Sequence, residues 1–255
     1  MPANFTETSE LWWGRATCAD PTARFFLFPY AGGGSRVFHG WSQEFPRDVD
    51  IRALQLPGRD LRHRESGIQS MDAMVDAVVT ASQSLFSEVP CVFFGYSLGG
   101  LVAFETARLL RARALPQPRR LIVAASIAPH RPQARSPLVH RMSNDELVEE
   151  LRRFKGTPEI VLQTPDLLEL LLPVIRADFS VLETYRYDNQ LPLEIPISAY
   201  GGLADEEVSP EALAEWSEHT SSGFQMRFLP GDHFFLKTAQ TQLLELLARE
   251  LQSVR

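Results

Sequence analysis

Phe93-Phe94-Gly95-Tyr96-Ser97-Leu98-Gly99-Gly100 sets a serine in a G-x-S-x-G frame, between an apolar run and an amphipathic one. Residues 91–94 read as a short buried strand, and 98–112 carry Leu, Val, Ala and Phe at helical spacing. A serine at that junction occupies the strand-to-helix turn of a nucleophile elbow. Gly95 and Gly99 remove side chains where strand and helix approach, so a strained turn can push Ser97 Oγ into a cleft. The N-terminus of the following helix aims unpaired N–H groups at the same place, where an oxyanion would sit.

The motif also arises by chance in glycine-containing loops, so its meaning depends on partners. Pro196-Ile197-Ser198-Ala199-Tyr200 reads as a strand and runs into Gly201-Gly202-Leu203-Ala204-Asp205, a loop that presents a carboxylate. Residues 225–229 read as another strand, ending in Pro230-Gly231-Asp232-His233. Serine, acid, histidine is the chain order of the α/β-hydrolase triad, each member just after a strand. Of the other histidines, His39, His63, His130 and His140 are read as solvent-facing, and His219 as closing a helical run against its negative terminus. Asp205, first after the strand and its glycine turn, is the expected acid, with Glu206 next; Glu206 and Glu207 are read as lying on the outer side of the loop, and Asp232 adjoins the histidine itself.

Strands at 24–28, 49–54, 91–94, 121–125, 195–200 and 225–229 alternate with helices at 71–86, 98–112, 210–220 and 236–252. That order demands a mostly parallel sheet with helices on both faces, as one α/β-hydrolase domain over residues 1–255. Residues 129–191, between the fourth and fifth strands, contain helices and no strand, and read as an inserted α-helical lid. Ser143 and Glu146 form a capping box there. Pro165 opens an apolar helix that includes Leu171, Leu172 and Ile175 and is too apolar to face water. It covers either the sheet edge or an acyl-binding cleft over Ser97.

The loop Phe28-Pro29-Tyr30-Ala31-Gly32-Gly33-Gly34-Ser35 follows the first strand and lacks the lysine of a phosphate-binding loop. In a hydrolase it lends the second oxyanion-hole N–H, assigned to Ala31, beside that of Leu98 after the nucleophile. In the turn Leu56-Pro57-Gly58-Arg59, the arginine is expected to pair with a surface acid.

The 255 residues, 44% of them hydrophobic, are enough for one such core. A net charge of −7 argues against a nucleic-acid partner. No apolar stretch is long enough to span a bilayer, and the first residues lack signal-peptide character, so a cytoplasmic, free-standing protein is expected. Cys18 and Cys91 form no C-x-x-C, so neither a disulfide nor a zinc site is implied, and Cys91 is expected to pack as a core residue. Residues 129–141 gather Arg131, Arg135 and Arg141 among prolines, a solvated loop that lies where a partner could dock.

With these segments in view, the chain resembles the type II thioesterases that accompany polyketide synthases and non-ribosomal peptide synthetases. Besides the elbow, the first loop and the histidine turn, the resemblance rests on Leu56-Pro57-Gly58-Arg59, Arg176-Ala177-Asp178-Phe179 and Glu183-Thr184-Tyr185. It covers almost the whole length. Family members usually carry His in place of Tyr30, and often in place of Tyr96. The resemblance implies an enzyme that frees acyl groups from the phosphopantetheine arm of acyl or peptidyl carrier proteins, clearing stalled or misprimed chains beneath the lid. It implies no metal and no organic cofactor, and leaves the oligomeric state unspecified. A general carboxylesterase or lipase, a domain cut from a synthase and a catalytically silent binding protein are the competing readings.

Overall fold

The computed structural model describes residues 5–133 and 136–253. After helix α1 (Phe5–Trp13), strands β1 (Ala23–Phe28) and β2 (Val49–Ala53) lead to α2 (Met71–Glu88), β3 (Cys91–Tyr96), α3 (Leu98–Ala112) and β4 (Arg120–Ala124). Three helices come next, α4 (Asn144–Phe154), α5 (Glu159–Leu162) and α6 (Pro165–Thr184). The chain ends with β5 (Ile197–Gly202), α7 (Pro210–Ala214), β6 (Phe224–Leu229), α8 (Phe235–Thr238) and α9 (Gln240–Gln252).

All six strands pair in parallel in the order β2-β1-β3-β4-β5-β6. Parallel pairing buries both faces of the sheet interior, which explains the unbroken apolar runs Phe25-Phe26-Leu27-Phe28 and Cys91-Val92-Phe93-Phe94. Phe26, Phe28 and Phe93 project to one face, against α1, α2 and α3. Phe25, Leu27, Val92 and Phe94 project to the other, against α9 and the short 3-10 turns near Phe38 and Trp41. Alternation along each strand therefore feeds two cores. Cys91 lies in the first, and burial pushes its thiol up to about 12.

The order of elements is the one expected from the sequence, with shifts of one or two residues at strand ends. The run 210–220 divides into α7 and a 3-10 segment, Glu215–His219, and 236–252 breaks at Ala239. Helix α1 was not anticipated. It seats Trp13 against Phe26, Phe28 and Phe86, with its Nε1–H donating to Ser82 Oγ.

Between β4 and β5 the described residues form no strand. The capping box is present: Ser143 Oγ accepts the Glu146 N–H, and Glu146 accepts the Ser143 N–H at 2.7 Å. Leu147, Leu151, Leu162, Leu172, Ile175 and Phe179 form a small core of their own. The expectation that the Pro165 helix cannot face water needs correction. Leu167 and Leu170 are exposed, because α6 turns only one face onto the molecule.

Candidate active site

Every group read as a functional residue of the triad or the oxyanion hole lies at the carboxyl end of a strand, where a parallel sheet opens its crevice. Ser97 follows β3 with φ 52° and ψ −118°, an unfavourable conformation for a residue with a side chain. The two flanking glycines explain why the chain tolerates it. A Cβ on Gly95 would lie 2.1 Å from Gly99 O, and one on Gly99 would lie 2.1 Å from Phe28 O. Both approaches are far inside van der Waals contact, so the elbow closes only with glycine at these positions.

Ser97 Oγ is 3.2 Å from His233 Nε2. His233 Nδ1 is 3.0 Å from Asp205 Oδ2 and 3.2 Å from Oδ1. An ionised carboxylate only accepts, so Nδ1 carries the proton and Nε2 presents its lone pair to the serine. The Asp205 side chain is fully buried, and its Oδ1 also accepts the N–H groups of Glu207 and Val208 at 2.8 and 3.1 Å. These bonds fix the carboxylate plane. Glu206 is exposed, and Glu207 pairs with Arg153 at 3.3 Å, so neither stands behind the histidine.

Tyr96, left without a role by the sequence, is wholly buried beneath this arrangement. Its hydroxyl donates to His233 O at 2.7 Å and accepts the Leu236 N–H at 3.2 Å. Burial raises the phenol well above its ordinary range, so it keeps the proton it donates. Tyr30 packs edge-on against Tyr96 and Phe234.

Leu98 opens α3, so its N–H has no intrahelical acceptor. In the first loop the Gly33 N–H closes onto Tyr30 O at 2.9 Å and the Gly32 N–H is taken by Asp178 at 2.7 Å. The Ala31 N–H has no acceptor among the described residues. Ala31, Leu98, Ser97 and His233 all border one cavity of about 550 Å³. Its far wall is apolar, built from Leu151, Phe154, Val161, Leu171, Ile175 and Phe179 of the three inserted helices. Leu171 and Ile175 thus border the cavity, whereas Leu172 turns into the small core of the insertion. Among the described residues, no cluster of His, Cys, Asp or Glu is placed to hold a metal ion, and no helix is long and apolar enough to cross a membrane.

Several expectations fail here for reasons of packing. Arg59 is buried, and it forks onto the buried carboxylate of Asp178 instead of a surface acid. His39 and His63 are exposed, but His140 Nδ1 is 2.5 Å from Glu183 Oε2, which α6 buries. His130 is exposed as expected, and its Nδ1 is 2.8 Å from His219 Nε2. Burial, and then the neighbouring His130, push His219 down to about 4. It is therefore neutral and gives no charge to a helix terminus. Of the arginines read as a docking patch, Arg131 is held by Glu215, Arg141 is exposed, and Arg135 lies outside the described residues.

The comparisons with known proteins meet this geometry. A family model described as the thioesterase domain matches residues 23–251. The chain belongs to the thioesterase family. It is 39% identical over 231 residues to the gramicidin S biosynthesis protein GrsT of Aneurinibacillus migulanus, covering 91% of this chain and 90% of that one. The structure of the type II thioesterase BorB from the borrelidin biosynthetic cluster superposes with a TM-score of 0.85 at 33% identity, covering 94% and 98% of the two chains. RedJ, a thioesterase from the prodiginine pathway of Streptomyces coelicolor, gives 0.84 at 35% identity, over 90% of this chain and 86% of that one. The likeness to type II thioesterases and the α/β-hydrolase architecture read from the sequence are both borne out.

Proposed function

We propose that this thioesterase hydrolyses acyl groups carried as thioesters on the phosphopantetheine arm of acyl or peptidyl carrier proteins, and so clears stalled or misprimed assembly lines. The observation that carries the reading is the Ser97–His233–Asp205 relay opening onto an apolar cavity of about 550 Å³. Such a space accepts an acyl chain and leaves the thiol side to reach outward. The biosynthetic settings named for GrsT, BorB and RedJ supply the context.

His233 Nε2 takes the Ser97 proton as Oγ attacks the thioester carbonyl carbon. Negative charge gathers on the carbonyl oxygen, and the N–H groups of Ala31 and Leu98 receive it. Collapse of the tetrahedral adduct breaks the C–S bond. A thiolate whose conjugate thiol has a pKa near 8.5 leaves readily, so little is asked of His233 as an acid; the departing sulfur takes the proton from Nε2, which is then free to act as a base again. Water then adds to the acyl-enzyme, giving its proton to the same Nε2, and a free acid departs as Ser97 recovers its proton. Asp205 stays ionised and stabilises the imidazolium throughout. The cycle balances without metal or organic cofactor.

The reading places the enzyme in the cytoplasm with its carriers. Arg141, exposed beside the first turn of the insertion, offers a cation to an acidic carrier. The test is a series of acyl groups on a carrier protein, on a small thiol and on a matched alcohol, with released acid measured. Preference for the carrier thioester supports the proposal, and equal or faster cleavage of the oxygen ester refutes it.

A further inference from the structure

The pairing of Arg59 with Asp178 lies outside the relay, and the hydrolytic cycle above makes no use of it. Asp178 sits on α6, while Arg59 ends the turn after β2, 119 residues earlier. The guanidinium meets the carboxylate with both arms, each at 2.7 Å, and both side chains are buried. The pair also grips the glycine loop twice. Asp178 Oδ2 accepts the Gly32 N–H at 2.7 Å, and Arg59 Nη1 donates to Gly33 O at 2.8 Å.

Gly32 adopts φ +76°, and a Cβ there would fall 2.9 Å from Ile175 Cγ1, so the loop lies directly on α6. The Ala31 N–H shares a rigid peptide plane with Tyr30 C=O, which the Gly33 N–H already holds. The next plane ends in the Gly32 N–H, and a glycine can rotate that plane at little steric cost. Among the described residues, only the Asp178 carboxylate holds it. A lone carboxylate this close would oppose an oxyanion, and the forked arginine neutralises it.

We propose that Asp178, oriented by Arg59, is the positioning residue of the oxyanion hole: it fixes the Gly32 peptide so that the Ala31 N–H points at the developing oxyanion, and it makes the seating of α6 a condition of catalysis. The inference rests on the hydrolase reading above, and its test separates the two.

Asp178→Asn and Arg59→Lys are compared with the wild-type protein in three measurements. The first is hydrolysis of a small acyl thioester. The second is inhibition by an acyl trifluoromethyl ketone, to which Ser97 Oγ adds to form a hemiketal oxyanion as its proton passes to His233. The third is binding of the matched methyl ketone, which is bound without attack. Loss of an aligned oxyanion donor should lower kcat by about 100-fold and weaken the trifluoromethyl ketone comparably. KM and methyl ketone affinity should stay within about twofold. Arg59→Lys keeps the charge but loses the fork, so it shows the same pattern in smaller measure and decides the matter should Asp178→Asn not fold. Unchanged kcat in a folded variant, or equal weakening of both ketones, overturns the inference. A wild-type protein that neither hydrolyses the thioester nor forms the hemiketal refutes the hydrolase reading instead.

Discussion

Tyr96→Phe removes one oxygen atom and should damage both stability and turnover. The hydroxyl joins two backbone groups, His233 O at 2.7 Å and the Leu236 N–H at 3.2 Å, under a ring with no exposed surface. Phenylalanine fills the same space, so no cavity forms and the loss is polar. Each buried group left without a partner costs about 1–3 kcal/mol. Because His233 borders the open cavity, its carbonyl can recover part of that cost from water, which leaves about 3 kcal/mol in all. In a domain of this size, that lowers Tm by roughly 6–12 °C. The freed carbonyl also lets the imidazole drift from Ser97, and a misplacement near 1 Å costs about 100-fold. We therefore expect kcat to fall by about 10–100-fold with KM nearly unchanged. Thermal unfolding by circular dichroism gives the first quantity. Steady-state thioester hydrolysis at 25 °C, well below the variant's Tm, gives the second, with fluorophosphonate labelling of Ser97 as a check on nucleophile activation. A Tm shift under about 2 °C together with kcat within about twofold of wild type would show that the hydroxyl does not hold His233, and the reasoning would fall.

Ser97→Ala and His233→Ala should each lower acid release by about 10⁴-fold or more while circular dichroism and Tm stay near wild type; Asp205→Asn should cost about 10³–10⁴-fold and Glu206→Gln almost nothing, and near-normal turnover in Ser97→Ala would end the triad assignment. Leu171→Trp should cut kcat/KM for long acyl chains more than for short ones, since the residue borders the cavity; an equal loss for all lengths accompanied by a lower Tm would mark it as core packing. His219 sits at about 4 in the fold against about 6.5 unfolded, so its neutral form favours folding above pH ~6.5 and that contribution drains away as pH falls toward 4, by at most about 3 kcal/mol. Urea midpoints should therefore fall between pH 6.5 and 4 more steeply in the wild type than in His219→Gln, and parallel profiles would refute the assignment.

Local chemistry wrote much of this protein into its sequence. A serine between two glycines at a strand-to-helix junction, a carboxylate and a histidine after later strands, and apolar runs alternating with amphipathic ones dictated the parallel sheet and the order of the triad, because periodicity and turn chemistry act over a few residues. The capping box at Ser143 was legible for the same reason. Tertiary structure alone decided which partners the buried polar groups would take. Arg59 and Asp178 stand 119 residues apart, and an arginine in a turn looks the same whether it meets water or a buried carboxylate. Tyr96 bonds across 137 residues to the turn that holds the histidine. The face of α6 that lines the cavity, and the face that turns Leu167 and Leu170 to solvent, depend on how the inserted helices settle over the sheet. Hydrogen bonds and ion pairs of that kind follow from the packing of distant elements, and no spacing along the chain encodes them.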